Sequence, residues 1–399
     1  MNRVVVTGLG IVSSIGNACR TVVESLRQGR SGMVYLPRLK EWGFRCCICA
    51  PPHEVDQGRF PARWRRRLSE AATYALSAGI DAVADAGLAD ETLHDPRMGI
   101  VFGTAISGPN YVARHDGRRA APGEVWQMMT SSPASALAGV FGVTGRVLAI
   151  SASCSTGLYN IGYAFELLRR GGLDVCLCGS AEESPWLSVG VSGDNSNGMP
   201  VHWNDQPERA CRPYDRDREG FVMSAGAGAL VLESLDYARR RGANIQAEVV
   251  GYGAANDAHD MFVPSGHGLR SSIQQALDMA GLQSVDYVNT HGTGTLHGDK
   301  VEADVLRDVL GGGPLVSSTK GQSGHSQGST ASQETVFTML MLNHQFAAPT
   351  ANLENIAPEC DGLRHVQSLT DTPLHTAMTI NSGLGGTNAC LLLRRMPGE

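Results

Sequence analysis

The chain runs through one order of strand-like and helical stretches and then begins that order again. Apolar runs of strand length sit at Arg3–Thr7, Met98–Gly103, Val147–Ser151 and Val175–Gly179. Helical periodicity separates them at Ser69–Ala86 and Ser155–Arg170. A hairpin-like pair, Gly220–Met223 and Gly228–Glu233, closes this first set. A new first strand follows at Ile245–Tyr252, then a helix at Leu269–Ala280, a strand at Val285–Asn289 and a helix at Lys300–Leu310. The strand Leu315–Ser318, a long helix at Ser329–Leu342 and the strands Ala377–Ser382 and Thr387–Leu393 complete it. Gly-Ala-Gly-Ala-Leu-Val-Leu-Glu (226–233) is matched by Gly-Gly-Thr-Asn-Ala-Cys-Leu-Leu (385–392). Such alternation predicts a layered α/β architecture, and its recurrence predicts a duplicated fold. The spacing puts the division near Arg239–Ala243, giving halves 1–243 and 244–399 that share one core.

With 399 residues, 42% of them apolar and 18% charged, the chain has material for a large core and none of the composition of disorder. Its net charge of −6 argues against a general nucleic-acid binder. Val125–Gly145 and Val147–Phe165 are free of charge but too rich in Ser, Thr, Gln, Asn and Gly for a membrane span. They read as buried core or subunit interface. Residues 1–12 read as a strand and turn, not as a secretory signal. The ten cysteines have no framework spacing, which suggests a reducing cytoplasm, and Cys46-Cys47-x-Cys49 has no second ligand cluster to make a zinc site. Gly8-Leu-Gly10 follows a strand as in a dinucleotide fold, but position 13 is Ser13 and no acidic residue follows suitably.

Four places carry the residue types of catalysis. Cys154 follows a strand across the small turn Ser151-Ala152-Ser153 and precedes a helix. That is the setting of a nucleophile elbow, where the helix N-terminus favours thiolate and can hold an oxyanion. His291, in Asn289-Thr-His291-Gly-Thr-Gly-Thr295, sits on a glycine-rich turn after a strand. His325, in Lys320-Gly-Gln-Ser-Gly-His325, holds in the second half the place of the Cys154 elbow in the first. Asn381-Ser-Gly-Leu384-Gly-Gly-Thr-Asn388 has three glycines within four residues, which lets backbone come close to a ligand or a nucleophile. Lys320 is one of three lysines among 33 basic residues.

Over its whole length the chain resembles the elongating β-ketoacyl-acyl carrier protein synthases, the I branch more than the II branch. The likeness rests on Val-Val-Thr-Gly-Leu-Gly-Ile-Val-Ser-Ser-Ile-Gly-Asn (5–17), the Cys154 elbow and Tyr214-Asp-x-x-Arg-Glu-Gly-Phe221. It continues in His291-Gly-Thr-Gly-Thr, Gly298-Asp-x-x-Glu302, Lys320-x4-His325 and Gly385-Gly-Thr-Asn388. The resemblance implies the thiolase-type duplicated αβαβα five-layer sandwich, usually a homodimer, though a heterodimer with a synthase-like subunit also occurs in such systems. It implies Cys154 as acyl-accepting nucleophile, His291 and His325 as the decarboxylation and condensation pair, and Lys320 and Glu302 in the network around His325. Two imidazoles donating to the malonyl carbonyl would stabilise the enolate. The Leu384 N–H would serve the oxyanion, and its side chain stands where the family usually has a gating Phe. No metal or cofactor is implied.

The implied partner is an acidic acyl carrier protein, in acyl and malonyl forms. The cluster Arg59, Arg63, Arg65, Arg66 and Arg67 matches the family's docking segment. Glu182–Asn204, matching the acyl-pocket and gating region, diverges, as at Ser184-Pro-Trp186 and Asp194-Asn-Ser-Asn-Gly198. Fatty-acid elongation is the first expectation, and a specialised polyene or polyketide-like lipid pathway the second. A chain-length factor would lack the nucleophile that this chain keeps. A thiolase would need a second catalytic Cys, but Cys390 lies inside the last strand. An initiation-type synthase would have Asn where His325 stands.

Overall fold

The computed structural model describes residues 1–108, 124–184 and 198–396. Eleven strands pair into one ladder. The first half supplies β1 (Val4–Val12), β2 (Met98–Gly103), β3 (Val147–Leu148), β4 (Val175–Glu182) and β5 (Gly226–Ser234). The second supplies β6 (Ala247–Asn256), β7 (Tyr287–Asn289), β8 (Leu315–Ser317), β9 (Arg364–His365), β10 (Thr376–Gly383) and β11 (Thr387–Arg395). The order is β9-β8-β7-β10-β11-β6-β1-β5-β4-β2-β3. In the first half β1 and β4 flank β5 antiparallel, and β2 joins β4 and β3 in parallel. In the second, β6 and β10 flank β11 antiparallel, and β7 joins β10 and β8 in parallel. Five strands of each half thus repeat one topology, and β9, parallel to β8 at the far edge, belongs to the second half alone. The halves meet where β1 pairs antiparallel with β6, Val4 opposite Val249 and Val6 opposite Ala247.

Helices fill three layers around this ladder: α1 (Glu70–Asp85) and α2 (Ser132–Phe141) outside the first half, α3 (Thr156–Arg169) and α6 (Thr330–His344) between the halves, and α4 (His267–Ala280) and α5 (Leu296–Leu310) outside the second. Three apolar clusters mark the contacts. Leu158, Ile161 and Phe165 of α3 meet Val336 and Leu340 of α6 in the middle. Leu76 of α1 packs with Ile100 and Val231 on one flank, and Ile273 of α4 with Val288 and Met378 on the other. The five alternating layers of the expected sandwich are all present. Truncating a central residue such as Ile161 to Ala should cost about 2–5 kcal/mol.

Local chemistry sets the boundaries. Ser69 caps α1 by accepting the Ala72 N–H at 3.1 Å, an interaction worth roughly 0.5–2 kcal/mol. Gly8 and Gly10 serve packing: a Cβ on Gly10 would lie 1.9 Å from the Ala78 carbonyl oxygen of α1. Helix α6 is buried on every side from Thr330 to Leu342, so its polar residues bond inward. Thr335 donates to the Ala331 carbonyl, and Gln333 to those of Val12 and Ala225.

Two expectations fail here. The strand expected at Val147–Ser151 stops at Leu148, because the Asn160 side chain takes both the N–H and the carbonyl of Ile150. The expected hairpin at Gly220–Met223 is absent. Met223–Ser224 pairs instead with Ile48–Ala50 in a separate three-stranded sheet, Met223 buried among Cys46, Ile48 and Val222. Of the charge-free stretches, Val147–Phe165 is mostly buried from Ala152 on, whereas Val125–Gly145 is mostly half-buried or exposed, and Val125, Met128, Met129, Val147 and Leu148 are exposed. Among the described residues no helix is long and apolar enough to cross a membrane.

Candidate active site

Topology brings the singled-out residues together. Cys154 follows β3, His325 follows β8 and His291 follows β7, and β3 and β8 are equivalent strands of the two halves. Such chain positions, past the C-terminal ends of parallel strands, are where α/β sites form. One ring nitrogen from each His and the Cys154 sulfur all lie within 4.8 Å of one another.

The Cys154 turn is held from both sides. Ser153 sits at φ 52°, a left-handed conformation uncommon for a residue with a Cβ and characteristic of a sharp strand-to-helix turn. Thr156 Oγ1 accepts the Ala152 N–H at 2.9 Å and donates to the Ser153 carbonyl at 2.7 Å. The other half clamps the turn: Ser155 Oγ reaches the carbonyls of Asn381 and Thr387, and Thr387 Oγ1 donates to that of Ala152. Gly383 permits this approach, since a Cβ there would lie 2.9 Å from the Ala152 oxygen. The Leu384 backbone N–H donates to the Cys154 sulfur, while its side chain is 55% exposed.

His325 is aligned by backbone. Its N–H donates to the Val222 carbonyl at 2.7 Å, and its own carbonyl accepts the Ser224 N–H at 2.9 Å. That leaves Nε2 3.1 Å from Cys154 Sγ. The ring meets Phe221 and His291 edge-on, at 5.7 and 5.3 Å between centroids. The His291 N–H donates to Glu302 Oε1 at 2.7 Å, and Glu302 also accepts the Tyr214 hydroxyl at 2.5 Å. Asp299 fixes the following turn by accepting the N–H groups of Thr293 and Gly294. Glu302 thus bonds to His291 and Tyr214 and reaches His325 through the His291 ring beside it.

Lys320 is fully buried and paired with Glu334 Oε1. Its cation acts on the whole site. Burial pushes the Cys154 thiol above its ordinary range, while the Ser153 hydrogen bond, the Lys320 charge and the Leu384 N–H pull it down and the Glu182 charge pushes it up. The thiolate expected at the helix N-terminus is thus opposed by desolvation, which wins. Burial holds His325 well below its ordinary value, and Lys320 adds to this. Burial does the same to His291, helped by Lys320 and His325 and opposed by the Asn381 hydrogen bond. Burial pushes Glu302 up to about 7.

Three buried residues escaped the sequence reading. Glu334 had a signal: it is the sole acid between Lys320 and Glu354. Asn381 stood in a singled-out motif without a role. Glu182, at the end of β4, accepts Thr104 Oγ1 and the N–H groups of Ala105 and Gly328, and burial pushes it up to about 8. Of the divergent segment beyond it, 185–197, including Trp186 and Asp194, lies outside the described residues.

The site opens into a cavity of about 900 Å³, lined by Cys154, both His, Phe221, Met261 and Phe262 among others. Its volume and its apolar lining by Ile106, Phe221, Met261 and Phe262 suit a mostly apolar guest. Cys154, His291 and His325 could in principle ligate a soft metal ion. The direct sulfur–imidazole hydrogen bond and the buried Lys320 cation beside it suit a nucleophile and base better.

The arginine cluster divides in two. Arg59 pairs with Asp81, and Arg65 donates to the carbonyls of Phe60 and Gly58. Arg63, Arg66 and Arg67 are exposed. Trp64 anchors this turn against Gly139 and Trp126. Ser107, next to the cavity-lining Ile106, bonds to the carbonyls of Gln127 and Met129 beyond Trp126.

The chain is similar to known proteins over its whole length. The family description "Beta-ketoacyl synthase, N-terminal domain" matches residues 1–238, and "Beta-ketoacyl synthase, C-terminal domain" matches 246–354. The chain is 39% identical to 3-oxoacyl-[acyl-carrier-protein] synthase 1 of Escherichia coli (strain K12), over 99% of this chain and all of that one. A crystal structure of a beta-ketoacyl synthase from Burkholderia phymatum STM815 superposes with a TM-score of 0.95 at 31% identity, covering 100% of both chains. A structure titled as a type II PKS acyl-carrier protein in complex with its ketosynthase bound to the hexaketide matches with a TM-score of 0.91 at 28% identity, over 99% of this chain and 100% of that one. The chain belongs to the β-ketoacyl synthase family.

Proposed function

We propose that the chain catalyses decarboxylative condensation of an acyl group with malonyl-acyl carrier protein, giving a 3-oxoacyl-acyl carrier protein in fatty-acid elongation. The observation that carries this reading is the buried Cys154 sulfur 3.1 Å from His325 Nε2, with the His291 ring 5.3 Å beyond. In the first half-reaction His325 takes the thiol proton and the sulfur attacks the acyl thioester. The N–H groups of Cys154 and Leu384 hold the tetrahedral oxyanion. The carrier thiolate then leaves, taking the proton from His325. In the second, the bond from the malonyl carboxylate to its α-carbon breaks and carbon dioxide departs. The electron pair becomes a thioester enolate flanked by the two imidazoles. Its carbon attacks the acyl-Cys154, the carbon–carbon bond forms, and the Cys154 thiolate leaves and regains a proton from solvent. The test is to mix the protein with acyl- and malonyl-carrier protein and follow intact masses. Acyl mass on the enzyme and a 3-oxoacyl carrier product support the reading; an unmodified enzyme with no product rejects it.

The carrier docks, in this reading, on Arg63, Arg66 and Arg67, with Arg65 shaping the turn. A structural neighbour solved as an acyl-carrier protein in complex with its ketosynthase supports a carrier partner, and the exposure of these arginines supports the place. A second copy pairs along β3, the end strand of the ladder, where Val147 and Leu148 are exposed. A homodimer is the first choice and a heterodimer the second. The halves divide at 243/244, and the cytoplasm remains the compartment assigned to the enzyme. One observation favours a specialised lipid pathway as a second reading: the half-exposed Leu384 side chain at the cavity mouth, where the family usually has Phe.

A further inference from the structure

We infer that Asn381 is a positioning residue that holds His291 with its proton on Nδ1 and its lone pair on Nε2. The inference rests on the role proposed for His291 and concerns which way round that imidazole works. Asn381 Nδ2 donates to Glu334 Oε2 at 2.9 Å. Burial pushes the Glu334 carboxyl up, and the buried Lys320 cation bound to its other oxygen opposes this and favours the carboxylate. A carboxylate only accepts, so the amide must present its NH₂ to Glu334 and its oxygen to the other side. That oxygen, Asn381 Oδ1, lies 3.0 Å from His291 Nδ1. An amide oxygen also only accepts, so Nδ1 must carry the hydrogen. Nε2 of the neutral ring is then left without one, on a residue that lines the cavity.

Lys320, Glu334, Asn381 and His291 thus form a directed chain in which each member fixes the next. Other charged or titratable groups facing His291 are Glu302, at its backbone N–H, His325, across the ring edge, and Cys154. His291 is therefore not the hydrogen-bond donor that the resemblance implies. Neutral His291 meets the malonyl group through its Nε2 lone pair, as an acceptor or base. Asn381 itself is fixed on β10, opposite Ala389 of β11, and its carbonyl anchors Ser155 beside the nucleophile.

The test uses the full-length protein labelled with ¹⁵N-histidine, with the His291 signals identified by their loss in His291→Gln. The nitrogen shifts distinguish a protonated from a bare ring nitrogen. The expected result is a protonated Nδ1 and a bare Nε2 in the wild type, with that preference lost in Asn381→Leu. A bare Nδ1 in the wild type, or an unchanged pattern in Asn381→Leu, overturns the inference.

Asn381→Asp keeps the shape and gives a second test should the Leu variant not fold. An aspartic acid can serve both Glu334 and His291 only while it holds a proton. Its malonyl decarboxylation should therefore approach wild type at acid pH and fall by about 10- to 100-fold as pH rises, relative to wild type at each pH. A wild-type profile, or an equal loss of Cys154 acylation at every pH, overturns the inference. Failure of the functional reading is separable: normal condensation by His291→Ala would remove His291 from the reaction whatever its tautomer.

Discussion

His325 Nε2 stands 3.1 Å from Cys154 Sγ, and burial disfavours charge on both. The resting pair is a neutral thiol hydrogen-bonded to a neutral imidazole, not a preformed ion pair. The proton moves when substrate arrives, as in general-base activation. Alkylation of Cys154 by iodoacetamide should therefore accelerate with pH up to and past the ordinary thiol range, ~8.5. Lys320→Met should slow it at each pH, because the Lys320 charge draws the thiol down. A plateau below pH 7 would show a standing thiolate. Cys154→Ala should gain no acyl mass from acyl-carrier protein, and any residual acylation would move the nucleophile elsewhere.

The two histidines should separate the half-reactions. His291→Ala should keep Cys154 acylation and lose malonyl decarboxylation by ~10²–10⁴-fold, the usual scale for a positioned acid or base. His325→Ala should impair decarboxylation similarly and slow acylation too, because it touches the sulfur. Carbon dioxide release and acyl-enzyme mass, measured separately, check both. Normal condensation by either variant would exclude that residue from the mechanism.

Much of this site is visible in the chain because it lies on short loops after strands. Cys154, His291, His325 and the Leu384 loop each announce themselves by a small or glycine-rich turn following an apolar run. Duplication makes the meeting of distant loops expected. Glu334 and Asn381 were harder to find because they act inside regular elements, on α6 and β10. Their roles depend on the facing of buried side chains on separate elements of the second half, which no local spacing encodes. Helix α6 also hides its face, since it is buried all round and has no amphipathic period. The strand ends at Leu148 and Met223 were misjudged for a related reason: distant partners, Asn160 and the Ile48 strand, take the backbone bonds.

Glu182 should leave a mark on stability. Burial pushes it up to about 8 from an ordinary 4.5, so the folded protein keeps a proton that the unfolded chain has released. Its contribution is complete below pH 4.5 and is lost as pH rises through about 8. The shift corresponds to at most about 5 kcal/mol. Glu302, raised in the same direction, adds to the trend. Denaturant unfolding across pH 5–9 should show stability falling with pH, and Glu182→Gln should flatten the fall. A slope unchanged in Glu182→Gln would mean that the carboxylate stays ionised among its donors.

Reversing Arg63 and Arg66 to Glu should weaken carrier-bound substrates by at least about tenfold while sparing small thioester mimics. Exposed charges act on encounter and are screened over a Debye length of about 8 Å at physiological salt. Added salt should accordingly slow the wild type with carrier substrates. Equal losses with carrier-free mimics would assign these arginines to folding, through the Trp64 turn that carries them.

Leu384 offers the sharpest test of specificity. Its backbone N–H points at the Cys154 sulfur, a service any side chain except Pro leaves intact. Its side chain is 55% exposed and stands at the cavity mouth, on a loop whose Gly385 N–H donates to the Met261 carbonyl. Leu is smaller than Phe and has no rigid ring, so the mouth is wider here than a Phe would leave it. The enzyme should accept bulkier, stiffer or more unsaturated acyl chains than a synthase with Phe at that place. Leu384→Phe should narrow the range and leave short saturated acyl transfer largely intact. A steric difference of about one methylene is worth ~1–3 kcal/mol, or roughly 10–200-fold in selectivity. Competition between mixed acyl-carrier proteins would resolve an effect of that size. If the product profile of Leu384→Phe is unchanged, the gate is not at 384, and selection falls to the divergent stretch beyond Glu182.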